Sequence, residues 1–310
     1  MNKSKSIWMN GSLIPWDSAN VHVMSHALHY GSSIFEGVRS YKTKDGRAIF
    51  RLGSHMKRFC ESAKMYRIPL EHSQEVLMQG CCDTIADNDL YNAYIRPLTF
   101  YGAGPLGVVP SDEVPVETII VAFEWGAYLG EEGMTKGIDV CVSSWSRTTS
   151  SSIPVLAKAG GHYLNAMLIG GEARRHGYVE GISVSDKGMI SEGSAENVFL
   201  VRDGVVYTPP LAAAILGGIT RDSVITLAKH LGFEVVEQAL PRELMYTADE
   251  MFLTGTAAEV TPVRSVDGID VGCGSRGPIT EKIQSAFFGL FDGTTKDEWG
   301  WLDPVPVAVS

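Results

Sequence analysis

The sequence predicts an α+β fold in two domains, a small N-terminal one and a larger C-terminal one. Three observations carry this reading. Tight-turn dipeptides recur between short apolar runs, at Asn10-Gly11, Asp45-Gly46 and Asp203-Gly204. Helical stretches are mixed with these hairpins and show no regular strand–helix–strand period, which argues against a doubly wound sheet. A Gly-rich, charged stretch without periodicity, YLGEEGMTKG at 128–137, lies where an interdomain connection would lie. The expected layout is therefore a small domain over 1–127, a connecting loop over 128–137 and a large domain over 138–310. A chain of 310 residues is long enough for two such cores.

The elements follow in order. IWMNGSLI and the run from Ser33 to Leu52 read as hairpins. Ser54 is placed to cap a helix through Tyr66, and Ser73 to cap another through Ala86. NAYIRPLTF alternates like a strand, and VETIIVAFEWG is apolar enough for an interior one. IDVCVSSW opens a second strand-rich region, and the polar run from Arg147 to Ser152 reads as a loop near the site. HYLNAMLIGGEARRHG is an amphipathic helix closed by Gly177. ISVSDKGMISEG and NVFLVRDGVVYTP read as hairpins, ITRDSVITLAKHLG as a helix, and FEVVEQAL as a strand. PRELMYTA is a short helix opened by Pro241, MFLTG and VTPVRSVDG are strands, and ITEKIQSAFFGLF is the last helix. The tail from Asp292 reads as turns, with Trp299 and Trp301 docking.

Composition narrows the function. A net charge of −10 argues against a general nucleic-acid or anionic-membrane binder, though not against a local basic pocket. The five cysteines form no C-x-x-C pair, which predicts reduced thiols, no metal site and a cytoplasmic protein. The N-terminus has two lysines but no apolar run behind them, unlike a secretory signal.

Four segments carry chemistry. Lys158 lies in AKAGGHYLNAM, between Val155-Leu156-Ala157 and the start of a helix. Alone, a lysine beside Gly-Gly is an ordinary solvated loop residue. Partial burial would lower its pKa and leave a neutral amine able to attack an aldehyde. Glu192, in ISEGSAENVF, is either a surface hairpin carboxylate or a partner for a protonated pyridine nitrogen. GGITRD puts Gly217-Gly218 ahead of a helix, so Ile219 and Thr220 can offer free N–H groups to an anion. It fits neither the Walker nor the dinucleotide pattern, so a lone phosphate monoester suits it better. GTAAEV adds the Thr256 turn. Arg58 alone would be a solvated helix arginine. Arg96 alternates with Tyr94 and Leu98 in an apolar strand, so it can point into a cavity and meet a carboxylate. Amine, carboxylate, anion site and Gly-Thr turn together form the set needed to hold pyridoxal 5′-phosphate.

These residues resemble the bacterial-type branched-chain amino-acid aminotransferases, class IV aminotransferases with the fold-type IV (D-amino-acid aminotransferase-like) architecture. The likeness runs through VHVMSHALHYGSSIFEGVRSY, AYIRPL, FEWGAYLG, SSWSR, AKAGGHYLNAMLIGGEARRHGY, ISEGSAENVF, GGITRD, GTAAEVTPVRSVDG and FFGLF. It implies reversible amino transfer between leucine, isoleucine or valine and 2-oxoglutarate on pyridoxal phosphate. By resemblance, Lys158 is the Schiff-base lysine, Tyr163 meets the cofactor's phenolate oxygen and Glu192 meets its ring nitrogen. Arg58, Ile219, Thr220 and Thr256 match the phosphate set. Tyr30, Phe35, Gly37, Val108, Trp125 and Tyr128 look like pocket walls. Tyr94, with the N–H groups of Thr256 and Ala257, looks like the α-carboxylate site, and Arg96 matches the residue for the γ-carboxylate of glutamate. The resemblance also implies a homodimer or larger homo-oligomer, with the loop around Val108 reaching a neighbour. His162 stands where asparagine is expected, and no C-x-x-C redox pair is present. A D-amino-acid aminotransferase or an aminodeoxychorismate lyase would share the scaffold, and a silent phosphate-ligand binder is the alternative outside enzymes.

Overall fold

The computed structural model describes residues 3–126 and 131–306, with the side chain of Glu131 also outside it. Two compact units emerge. One comprises Met1–Gly126, Ala157–Gly161 and Phe291–Ser310, the other Ala127–Leu156 and His162–Leu290. Lys158 thus belongs to the first unit, although its neighbours at Leu156 and His162 belong to the second. Both units mix helices with a sheet, antiparallel in the first unit and mixed parallel and antiparallel in the second, which is the α+β class the sequence predicts.

In the first unit the sheet runs, in order, Leu302–Pro304, Gly46–Phe50, Val38–Thr43, Ala93–Tyr101, Val116–Glu124, Ser6–Met9 and Ser12–Pro15. Ser33–Phe35 pairs with Ala93–Tyr101 beside this path. Val116–Glu124 is flanked on both sides, as its apolar composition requires. The helices Leu52–Tyr66 and Gln74–Asp87 contribute Met56, Phe59, Leu77 and Ile85 to a core shared with Ile34, Ile49, Ile95 and Ile120. At roughly 1.5–3 kcal/mol per fully buried large aliphatic or aromatic side chain, this cluster is the main support of the unit.

Ser73 caps its helix, its hydroxyl accepting from the Val76 N–H at 3.4 Å. Ser54 does not cap. The preceding helix begins at Leu52, behind a left-handed Arg51, and the Leu52 N–H donates to Asp303. The tail is more ordered than its turn-like composition suggests. Leu302–Pro304 adds a strand to the sheet edge, and Trp301 stacks on Trp299 with ring centroids 4.5 Å apart.

In the second unit the order is Val235–Glu237, Val205–Thr208, Asn197–Arg202, Glu250–Gly255, Glu259–Val266, Ile138–Val142 and Glu180–Ile182. Asp203 and Gly204 both take positive φ (51° and 79°), which turns Asn197–Arg202 into Val205–Thr208. The predicted hairpin over 182–193 turns at Gly188 (φ 72°): the Ser185 N–H donates to the Met189 carbonyl, the Ser183 N–H to the Glu192 carbonyl and the Ser191 N–H to the Ser183 carbonyl, while the Ile190 N–H leaves the pair for the Leu240 carbonyl. PRELMYTA forms a 3-10 turn, Arg242–Tyr246. Within the stretch read as an interdomain connection, Glu131–Lys136 is a short helix and 128–130 lie outside the described residues. Among the described residues no helix is long and apolar enough to cross a membrane.

Candidate active site

The first unit builds a cluster around Phe35. The Phe35 N–H donates to the Lys158 carbonyl at 2.9 Å, and Ile34 bridges Ala159, so the lysine segment runs alongside the Ser33–Phe35 strand. The Lys158 N–H donates to Ser62 Oγ at 3.0 Å. A Cβ at Gly160 would stand 2.3 Å from Ser33 Oγ, so a larger residue there must turn that hydroxyl aside. Lys158 Nζ lies 5.0 Å from the Phe35 ring centroid, and Arg96 Cζ lies 4.6 Å from the same centroid. These are cation–π distances.

Arg96 donates from Nη2 to the Tyr94 hydroxyl at 3.0 Å, while its Nε is buried without a hydrogen-bond partner. A Cβ at Gly37 would fall 1.9 Å from Tyr94 Oη, so only glycine leaves that hydroxyl its place. Trp125 meets Tyr94 edge-on at 4.5 Å. Phe35, Gly37, Tyr94, Arg96, Trp125 and Lys158 are thus drawn together by one sheet and its neighbour strand. Tyr30, 45% exposed, packs on His26, and Val108 is 80% exposed on its loop. Tyr128 lies outside the described residues.

Arg58 has a partner that the sequence reading missed. Its Nε and Nη2 donate to the two oxygens of Glu36 at 2.6 and 2.8 Å, and His55 Nδ1 meets the same carboxylate at 2.8 Å. Glu36 is wholly buried. Burial alone would push its carboxyl up, but the Arg58 charge and the hydrogen bonds from His55 and Arg58 hold it well below the usual range. For His55 burial wins over Glu36 and lowers the imidazole below its ordinary value. His55, Arg58 and Ser62 lie three and four residues apart, one face of the helix Leu52–Tyr66. That spacing was the available signal.

The second unit ties a buried carboxylate to the start of a helix. Glu192 is 3% exposed. Arg147 Nη2 reaches its Oε1 at 2.6 Å, while Asn197 Nδ2 and the Leu216 N–H donate to Oε2 at 3.2 and 2.9 Å. Asn197 Nδ2 also donates to the Leu216 carbonyl at 3.0 Å, tying the carboxylate to the turn that precedes the helix Ile219–His230. Gly218 caps that helix without a side chain, and a Cβ there would fall 1.9 Å from Asn197 Oδ1. Its first N–H groups, including those of Ile219 and Thr220, are the ones a helix leaves without intrahelical partners. Thr256 and Ala257 occupy the turn between Glu250–Gly255 and Glu259–Val266. Tyr163 opens the helix Tyr163–Arg175 behind a buried His162.

Each unit carries donors of the kind pyridoxal phosphate needs: the first a lysine amine, the second a buried carboxylate hydrogen-bonded to the turn before a helix start cleared by glycine. Residues 33–266 match the family described as Amino-transferase class IV. The branched-chain-amino-acid aminotransferase of Salmonella typhimurium (strain LT2) is 57% identical over 98% of both chains, and that of Escherichia coli (strain K12) is 56% identical over the same shares. The crystal structure of the E. coli enzyme superposes with a TM-score of 0.97, covering 98% of this chain and 100% of that one. The branched-chain amino acid aminotransferase from Thermobaculum terrenum, solved in its PLP form, gives 0.91 at 34% identity, over 98% of this chain and 99% of that one. This chain belongs to the class IV aminotransferases.

Proposed function

We propose that this chain catalyses reversible, pyridoxal phosphate-dependent transfer of the amino group between branched-chain L-amino acids and 2-oxoglutarate. Full-length identity of 56–57% to curated branched-chain-amino-acid aminotransferases supports that activity over the D-amino-acid and lyase alternatives. When bound, pyridoxal phosphate supplies the aldehyde carbon that receives the amino group and a ring that withdraws electrons from the substrate α-carbon.

The residues divide the work. Lys158 anchors the cofactor, and its Nζ takes and returns the α-proton. Glu192 holds a proton on the ring nitrogen, and Tyr163 donates to the phenolate oxygen. Ile219 and Thr220 at the helix start, with Thr256 and Arg58, hold the phosphate. Arg58 enters that role already braced by Glu36.

The observation that carries the reading is the pair of cations over Phe35. An aromatic face accepts an aliphatic side chain, while the unpartnered Arg96 Nε beside it can neutralise the γ-carboxylate of 2-oxoglutarate. One pocket thereby serves both substrates. Tyr30, Gly37, Val108, Trp125 and Tyr128 complete its walls, and Tyr94 with the N–H groups of Thr256 and Ala257 takes the α-carboxylate. Division into a small domain over 1–127, a loop over 128–137 and a large domain over 138–310 belongs to the same reading, save that Ala157–Gly161 and Phe291–Ser310 pack with the first unit.

A homodimer or larger homo-oligomer, working in the cytoplasm, is part of the proposal. The loop that exposes Val108 and Val109, 80% and 82% accessible, supports the first point. An amino-donor panel with 2-oxoglutarate tests the whole. L-leucine, L-isoleucine and L-valine should turn over; turnover of D-alanine or aminodeoxychorismate in their place rejects it.

A further inference from the structure

Arg147, Asn197 and the Leu216 N–H, from separate stretches of chain, donate to Glu192, and Arg147 brings a positive charge. The two side chains are 8% and 4% exposed. A buried carboxylate without a cation takes up a proton sooner than stay charged. The arginine is equally committed, since its Nε is buried without a hydrogen-bond partner. Its loop is held firmly. The Arg147 N–H donates to the Val184 carbonyl at 2.9 Å, the Ser144 N–H to Glu172 at 2.9 Å, and Asn165 Nδ2 to the Ser146 carbonyl at 3.1 Å. The helix Tyr163–Arg175, which carries Asn165 and Glu172, thus fixes where the guanidinium stands.

We propose that Arg147 is a positioning residue that keeps Glu192 ionised and oriented, so that a proton shared with a pyridine nitrogen stays on the nitrogen. This rests on the assignment of Glu192 to the ring nitrogen. The guanidinium touches the carboxylate directly, at 2.6 Å, so it favours the anion. Asn197 and the Leu216 N–H fix the plane of the group but carry no net charge to offset its burial.

The test compares pyridoxamine 5′-phosphate with its 1-deaza analogue, in which C–H replaces the ring nitrogen. Both are titrated into apoenzyme of the wild type, Arg147→Met, Arg147→Lys and Glu192→Gln, from mildly acid to mildly alkaline pH. The readout is the ratio of the two dissociation constants. The wild type should prefer the nitrogen ring, and Glu192→Gln should lose the preference. Arg147→Met should lose about tenfold of it at the acid end of that range and regain it as pH rises. Arg147→Lys should keep most of it. If Arg147→Met weakens both ligands equally, or keeps the wild-type ratio while Glu192→Gln loses it, Arg147 does not act through Glu192. If Glu192→Gln itself keeps the preference, the assignment of Glu192 fails first.

Discussion

The Phe35 ring lies under the Lys158 amine at 5.0 Å, while the Phe35 N–H holds the Lys158 carbonyl at 2.9 Å. One residue therefore fixes both the backbone and the reach of the lysine. The same ring carries Arg96 at 4.6 Å, so the amine and the guanidinium share a single aromatic reference surface.

Arg96→Met should separate the two substrates. It removes the cation from the pocket but leaves Phe35 and Trp125 in place. A charge-assisted hydrogen bond contributes about 1.5–3 kcal/mol, so kcat/KM for 2-oxoglutarate should fall by about 10- to 100-fold. For leucine it should change far less. Equal losses in steady-state kinetics reject the assignment.

Gly37→Ala should resemble a pocket mutation although it adds only a methyl group. The new Cβ would stand 1.9 Å from Tyr94 Oη and 2.7 Å from Tyr94 Cζ, so the ring must move. Arg96 then loses its hydroxyl partner. The expected result is a large rise in KM for both substrates, with cofactor affinity retained. Wild-type KM values would mean that Tyr94 does not shape the site.

The Glu36 cluster predicts a particular acid dependence. Glu36 has a folded-state pKa below its unfolded one, so its contribution is complete above the unfolded value and disappears as pH falls through the folded value. His55 is also lowered by burial, so the unfolded chain binds its proton first and stability declines as pH drops below about 6.5. Glu36→Gln should cost about 3–5 kcal/mol at neutral pH, because the largely buried Arg58 is left without its counter-charge. His55→Asn should flatten the stability profile between neutral and mildly acid pH. Urea unfolding across that range checks both, and a wild-type slope in His55→Asn would contradict the account.

Much of this architecture was legible from local pattern. Alternation marked Ala93–Tyr101, apolar richness marked Val116–Glu124, Ser73 marked its helix, and Asp203-Gly204 marked its turn. The motifs around Lys158 and Glu192 stood out because glycine spacing has a steric cause, seen at Gly160 and Gly218. What stayed hidden depends on contacts distant in sequence. Glu36 and Arg58 are 22 residues apart and Lys158 and Ser62 are 96 apart, and no periodicity links either pair. Arg147 reads as part of a polar loop until the fold brings it to Glu192. The edge strand Leu302–Pro304 was missed because its pairing partner, Gly46–Phe50, lies near the other end of the chain.

The central claim is that the Lys158 amine is the group that bonds the cofactor. Borohydride reduction of purified holoenzyme, followed by peptide mass mapping, tests it most directly. The account predicts a stable phosphopyridoxyl tag on Lys158, absent in Lys158→Ala together with turnover. A tag on any other lysine, or none on the wild type, would contradict it.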